Sequence, residues 1–388
     1  MIIEVRKAGF VNKGAQLMLL AIKQQLNQRY PNATLTMTPS TQKGTQPFEA
    51  LVRHGFLPKS SLNRFGLHWG DLAALLPSRL REMYGLIMDS EIDGVLDAAG
   101  FAYGAPWNPA AMAELASSAI RWRNQDSAVI LMPQAFGEMS GRRYRNLARS
   151  VVSRADWVFA RDQESFRHLT STVGERSNIS ISPDFTSTIV GVPPADASRW
   201  KHVIAIVPNA RMLDQTDPEI RDAYLPFLTN CIRLIETRGG YARIIVHEER
   251  EDMAVAETLL GPERRGELVV ESNPLRLKGL LGACRGAIGG RFHALANCLS
   301  QGVPAFGTGW SHKYRALFSD YDFQEGLLDP LSRERAAHAV TSLLDDRWIA
   351  ETRRSLLQKA SVQALQIDSM WARVFPLLDS AEAKRRTA

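Results

Sequence analysis

Ala287-Ile288-Gly289-Gly290-Arg291-Phe292-His293-Ala294-Leu295-Ala296-Asn297-Cys298-Leu299-Ser300-Gln301-Gly302-Val303-Pro304 is the stretch on which the reading of this chain turns. The apolar Ala287-Ile288 predicts the end of a strand, and the two glycines a tight turn. Phe292, Leu295, Ala296 and Leu299 follow at i, i+3, i+4 and i+7, the buried stripe of a helix. Gly302 predicts where that helix stops, and Val303-Pro304-Ala305-Phe306 begins the next strand. A glycine corner of this kind lets backbone approach a ligand closely, and the new helix offers its first N–H groups to an anion.

Arg291 and His293 stand two residues apart at that corner. Residues at i and i+2 of a regular helix point away from each other. Both can face one ligand if Arg291 is still in the turn and His293 is in the first helical turn. The bland alternative is an arginine bonded to carbonyls beside a capping histidine. The strand–Gly-Gly–helix setting favours a site for phosphate or carboxylate.

The same alternation runs outward in both directions. Met1–Arg6 predicts a strand, followed by the loop Gly9-Phe10-Val11-Asn12-Lys13-Gly14 and a helix over Gln16–Leu26. Asn12 and Lys13 at that loop could hold an anionic or hydroxyl-rich ligand, or be an ordinary turn asparagine and an exposed lysine. Residues from Pro39 to Ser90 are less regular, with a helical piece over Gly70–Tyr84 and an exposed-looking Trp69. Ile92–Asp97 reads as a strand that ends in the loop Ala98–Gly104. A helix over Pro109–Asn124 precedes the buried strand Ala128–Met132 and its loop Pro133-Gln134-Ala135-Phe136-Gly137. An arginine-rich helix, the strand Trp157–Ala160 and a helix over Gln163–Thr170 come next, and Ile179–Ile181 closes this half. Gly191–Ala197 reads as a linker. Beyond it, Val203–Asn209, Arg243–Val246 and Leu268–Val270 are strand-like, with helices over Pro218–Thr237, Asp252–Leu260 and Pro274–Cys284. Helices near Arg333–Asp345 and Trp348–Asp379 finish the chain.

Strands and helices alternating at this spacing predict parallel sheets covered on both faces. The expected fold is α/β, with two doubly wound Rossmann-like lobes, residues 1–192 and 198–388, facing a cleft. That layout is GT-B-like, the one used by two-lobed nucleotide-sugar glycosyltransferases. The C-terminal helices are expected to pack back across the lobes.

The 388 residues carry a net charge of +6, 45% hydrophobic and 23% charged residues, values of a globular protein. No apolar run is long enough to span a bilayer, and the N-terminus lacks the pattern of a signal peptide. Cys231, Cys284 and Cys298 have no paired spacing and read as reduced thiols of a cytoplasmic protein. No His or Cys pair stands at metal-ligand spacing, so no metal is expected. Basic residues cluster at Arg142, Arg143, Arg145 and Arg149 and at the tail Lys384-Arg385-Arg386. Without interleaved aromatics this pattern does not call for nucleic acid. It suits acidic small substrates or the anionic inner face of a membrane.

Gly290-Arg291-Phe292-His293-Ala294-Leu295, then Gly302-Val303-Pro304, then Lys313, resembles the C-terminal signature of the polysaccharide pyruvyl transferase family. Further elements of the resemblance occur in order along the chain: Asn12-Lys13-Gly14, the Asp97–Gly100 loop, Pro133–Gly137, Arg161-Asp162 with Ser165, and Pro183-Asp184. The resemblance implies transfer of a pyruvyl unit from phosphoenolpyruvate to sugar hydroxyls, leaving a pyruvate ketal. It implies no cofactor beyond phosphoenolpyruvate as donor substrate. The acceptor would be a saccharide of an exopolysaccharide or cell-wall precursor, lipid-linked forms included, with peripheral work at the inner membrane face. Many members carry Gly-Asp-Glu where this chain has Gly14-Ala15-Gln16, and the Asp97–Gly100 loop is poorer in glycine. Both departures fall on the acceptor side and leave the sugar open.

Phosphoenolpyruvate carries a phosphate and a carboxylate and needs several fixed cationic donors. Arg291 is one. Arg161 at its strand end is a second, unless it is bridged to Asp162 or Asp184, and Lys313 is a third, unless it is a solvated loop lysine. His293 can take a proton from the attacking hydroxyl or give one to the methylene carbon. Phe292, Asn12, Lys13 and Gln134 complete the residues that the resemblance places at the substrates. Glu248, after His247 at a strand end, stands where two-lobed glycosyltransferases hold a nucleotide ribose, or simply opens a loop. The competing readings are a nucleotide-sugar glycosyltransferase and a non-catalytic homologue.

Overall fold

The computed structural model describes residues 1–10, 12–40, 46–61, 63–64, 67–68, 70–261 and 267–387. Val11 and Trp69 lie outside the described residues. The chain divides into two compact units, Met1–Thr186 with Gln366–Ala388, and Ser187–Leu365.

The first unit is built on β1 (Ile2–Arg6), β2 (Thr34–Met37), β3 (Leu57–Pro58), a small antiparallel pair β4 (Asn63–Arg64) and β5 (Leu67–His68), then β6 (Gly94–Asp97), β7 (Ala128–Gln134), β8 (Trp157–Ala160) and β9 (Ile179–Ile181). All but the small pair form one seven-stranded sheet in the order β3-β2-β1-β6-β7-β8-β9, parallel throughout. Strands buried on both faces must be apolar along their length, which is why Ala128–Met132 runs without a charge. β2 and β3 were not legible, being short and, in β2, alternating Thr with Leu and Met. β7 runs two residues further than its apolar core. Pro133 has no N–H to give to the ladder, and the register with β8 shifts between Leu131 and Gln134.

The second unit holds β10 (Val203–Val207), β11 (Tyr241–Val246), β12 (Val269–Val270), β13 (Gly286–Gly289) and β14 (Ala305–Gly307), parallel in the order β12-β11-β10-β13-β14. Gly191 lies within this unit and packs on the helix Pro274–Ala283. A Cβ on Gly191 would come 2.5 Å from the amide nitrogen of Gly279, so two glycines allow the approach.

In each sheet the winding reverses once, between β1 and β6 and between β10 and β13. Such a switch point opens a crevice at the carboxyl ends of its strands. Arg6 pairs with Asp97 at the first, and Val207 with Gly289 at the second.

The last helix runs from Asp346 to Thr387. Its final part belongs to the first unit, where Tyr30 Oη donates to Asp379 at 2.8 Å. Among the described residues, no helix is long and apolar enough to cross a membrane.

Candidate functional site

The corner that decided the reading forms as a strand, a turn and a helix. Phe292–Ser300 is helical, with Phe292, Leu295, Ala296 and Leu299 buried. Gly302 ends it at φ +73°. The amide of Gly302 donates to Leu299 O and that of Val303 to Cys298 O at 2.9 Å, a double closure that only a left-handed residue permits without strain.

Gly289 and Gly290 serve packing. A Cβ on Gly289 would stand 2.8 Å from the Cβ of Val207, and one on Gly290 3.0 Å from both Asn209 Cβ and Tyr224 Oη. The carbonyl of Gly290 accepts from Asn209 Nδ2 at 2.6 Å and from Tyr314 Oη at 2.8 Å. Tyr224 Oη in turn accepts the amide of Asn209 at 2.9 Å. Burial pushes the phenols of Tyr224 and Tyr314 above their ordinary range, so both stay neutral donors. The turn is therefore clamped from three sides.

Arg291 is the residue before the helix, and its side chain makes no capping bond. Its guanidinium turns to the neighbouring helix Glu249–Leu260. Nε donates to Asp252 Oδ2 at 2.7 Å, and Nη2 to Asp252 Oδ1 at 2.5 Å and Glu251 Oε2 at 2.8 Å. Burial alone would lower its pKa, but these carboxylates raise it, so the charge is permanent. Asp252 is fully buried and also accepts the amides of Ala210 and Glu248. Glu251, 40% exposed, is the looser of the two partners.

His293 is half-buried, its ring 5.3 Å from that of Phe292. Lys313, in the helix His312–Asp320, comes to the same place. Its Nζ lies 5.2 Å from the ring centroid of Phe292, 5.0 Å from that of Trp310 and 5.5 Å from that of Tyr314. An ammonium among ring faces is held by their quadrupoles. The fold of the second unit thus brings Lys313 to Phe292, the residue between Arg291 and His293. Glu248 is buried one turn before Asp252, as the cap residue of the helix Glu249–Leu260. His247, also buried, places Nδ1 3.3 Å from Glu248 Oε1.

The first unit holds the other candidates. Asn12 is a cap, its Oδ1 taking the amide of Ala15 at 2.7 Å. The helix consequently starts at Lys13, three residues earlier than the apolar pattern implies, and Lys13 is buried in its first turn. Arg161 follows β8 and donates to Asp184 Oδ2 at 3.3 Å, the ion pair named above as the alternative to a ligand contact. Gln134, at the end of β7, is fully buried, and neither atom of its carboxamide has a hydrogen-bond partner.

A second group at the first switch point was missed from sequence. Arg6 Nη2 donates to both oxygens of Glu114 at 2.7 Å, and its Nε lies 3.8 Å from Asp97 Oδ2. Lys59, almost fully buried, donates to Glu4 Oε2 at 2.6 Å and also pairs with Asp89. Arg121 Nε donates to the other oxygen of Asp89 at 3.1 Å. A signal did exist: two charges, Glu4 and Arg6, stand in the buried strand Ile2-Ile3-Glu4-Val5-Arg6, where packing alone would place none.

A profile of the polysaccharide pyruvyl transferase family matches residues 12–312, well over half of the chain. No curated protein sequence matches. Among solved structures, a candidate UDP-N-acetylglucosamine 2-epimerase from Listeria monocytogenes superposes with a TM-score of 0.58 at 12% identity, over 96% of this chain and 95% of that one. HepE from Anabaena, solved with UDP, gives 0.57 at 13% identity, over 97% and 99%. MnaA from S. aureus, also solved with UDP, gives 0.53 at 12%, over 92% and 90%. At such identities the likeness is one of fold, and that fold is GT-B-like.

Proposed function

The chain belongs to the polysaccharide pyruvyl transferase family, and from that premise we propose that it moves a pyruvyl group from phosphoenolpyruvate to two hydroxyls of a saccharide. The observation that carries the reading is the approach of Lys313 to Phe292, the residue between Arg291 and His293, at the second switch point. Two cations and an imidazole, a side chain able to take or give a proton, are what a donor with a phosphate, a carboxylate and an enol carbon requires.

In this reaction the methylene carbon of the donor gains a proton while a sugar hydroxyl bonds to C2. The C2–O bond to phosphate breaks, and a second hydroxyl closes the ketal, so one inorganic phosphate leaves per transfer. Asp252 holds Arg291 by two nitrogens, and the donor phosphate would replace the exposed Glu251 on Nη2. Lys313 would meet the remaining negative charge. His293 is the acid/base residue of the proposal. In the first unit, the unpaired carboxamide of Gln134 is suited to a sugar hydroxyl, which both donates and accepts. No cofactor enters this scheme.

The test is incubation with phosphoenolpyruvate and a panel of lipid-linked and nitrophenyl sugars, scoring phosphate and product mass. Phosphate release that depends on acceptor is expected. A parallel arm with UDP-sugars addresses glycosyl transfer, for which the buried Glu248 beside His247 and the UDP-bound structural neighbours speak. UDP release without phosphate release would sink pyruvyl transfer, and silence in both arms would favour a non-catalytic homologue.

We place the protein in the cytoplasm, in peripheral contact with the inner membrane face. Arg142, Arg143, Arg145 and Arg149 are all exposed on the helix Arg142–Val152, whereas Arg385 of the tail is already engaged with Asp93 at 3.4 Å. Binding to anionic vesicles that is lost on Arg142→Ser/Arg143→Ser, and not on removal of the tail, is the expected pattern. Indifference of both variants would refute the contact.

A further inference from the structure

We propose that the first unit carries a pocket for an anionic saccharide, a sugar bearing a carboxylate or a phosphate, at the carboxyl ends of β1, β2 and β3. It names the acceptor class and rests on the reading above for the word acceptor alone. The cavity measures about 630 Å³ and is walled by β1, by the segments after β2 and β3, and by the helix Ala110–Asn124. That volume lies within the range of pockets that enclose small ligands.

Among the described residues, the wall presents four cations, Arg6, Lys7, Lys59 and Arg121, against two carboxylates, Glu4 and Glu114. The balancing Asp89 and Asp97 do not line the cavity and are almost completely buried. The wall itself therefore carries an excess of positive charge, part of whose counter-charge stands behind it. Burial lifts the carboxyl of Asp97 above its usual range against the pull of Arg6. Arg6 and Lys59 both lie against the indole of Trp122, at 4.7 Å and 5.4 Å, which holds the two heads in place.

Two details separate this cluster from a purely structural one. Arg6 Nη1 is buried and has no acceptor, an exception that folded proteins seldom tolerate without a ligand or water to fill it. Lys7 sits at φ +62°, where a lysine is strained. Its neighbours close on it, the amide of Ala8 donating to Arg6 O at 2.7 Å in a three-residue turn of the rarer hand. That turn sets Lys7 beside Glu114 at the wall, 3.3 Å away. Hydroxyl partners are present as well, Gln46 and Ser118 lining the same cavity. An isolated anion would use only the cations. A saccharide with an anionic group uses both sets.

The experiment is calorimetric titration of the full chain, with no donor present, by glucuronate, glucose 6-phosphate, glucose and inorganic phosphate. The two anionic sugars are expected to bind at least tenfold more tightly than glucose, and glucose 6-phosphate more tightly than phosphate alone. Lys7→Gly relieves the strained turn, so its melting temperature should hold or rise while affinity for both anionic sugars falls about tenfold. Arg121→Gln should weaken them similarly. Equal binding of glucose, phosphate as good as the sugar phosphate, no binding of any probe, or unchanged affinity in a folded Lys7→Gly would each overturn the proposal. Failure here and failure of pyruvyl transfer are separable. A chain that binds these sugars but releases no phosphate from phosphoenolpyruvate loses only the reaction, and one that pyruvylates neutral sugars equally well loses only this pocket.

Discussion

At the first unit's switch point the helix after β1 opens with Asn12, whose side chain takes the amide of Ala15. At the second unit's, the helix after β13 opens with Arg291, whose side chain caps nothing and reaches Asp252 and Glu251 on another helix. The two corners share strand, turn and helix, and differ in where the charge goes. In the first, the cap is neutral and the charge is gathered to one side, around Arg6, with one nitrogen left unmet. In the second, the charge sits on the corner itself, and a buried carboxylate fixes its orientation. A corner that caps its helix with a side chain spends that side chain on stability. A corner left uncapped frees it to reach a neighbouring helix.

The comparison breaks most severely if the second corner is not the catalytic one. Replacing His293 by alanine is expected to lower kcat by roughly 10²–10⁴-fold with little change in donor KM, as loss of general acid–base help does. Steady-state phosphate release measures it, and a rise in KM alone would move His293 from catalyst to binding residue. Next in size is Arg291→Lys, expected to cost about 2–4 kcal/mol of transition-state binding in kcat/KM. An ammonium cannot span Asp252 and still present a second planar donor pair. Wild-type turnover in that variant would remove the argument for a fixed fork.

The first corner answers to stability instead. Asn12→Ala is expected to destabilise the fold by about 1 kcal/mol, through the lost cap on the helix Lys13–Arg29, in urea unfolding. A tenfold loss of turnover with native stability would show that Asn12 belongs to the chemistry. The smallest effect concerns acid. Burial would raise Glu114, but Arg6 and Lys7 outweigh it and bring its pKa from 4.5 down to about 2. A depressed carboxylate stabilises the fold above its unfolded value and ceases to do so as pH falls through its folded one. Melting temperature should therefore drop between pH 4.5 and 2, and Glu114→Gln should flatten that part of the curve. An unchanged slope would mean that the ion pairs of Arg6 are not what acid breaks.

Much of the second corner was legible because its rules are local. A helical stripe, a glycine at a left-handed position and an arginine beside a histidine are all read within one window of sequence. The glycines show the limit of that reading. Gly289 and Gly290 suggest room for a ligand, yet their neighbours are Val207, Asn209 and Tyr224, which no window around them contains. Lys13 shows another, since an apolar pattern finds where a helix is buried and not where its cap begins it.

By itself the sequence determined the alternation of strand and helix, and hence parallel sheets, because periodicity and burial on both faces are properties of a segment and its immediate neighbours. It also determined the residues of the Arg-Phe-His corner. The order of the strands, with its two switch points, was decided only in three dimensions, and so was the electrostatics. Arg6 meets Glu114 across 108 residues, Lys59 meets Glu4 across 55, and Arg291 meets Asp252 across 39. A charge takes its effective strength from the partners and the dielectric that folding brings to it, and neither is written near it in the chain.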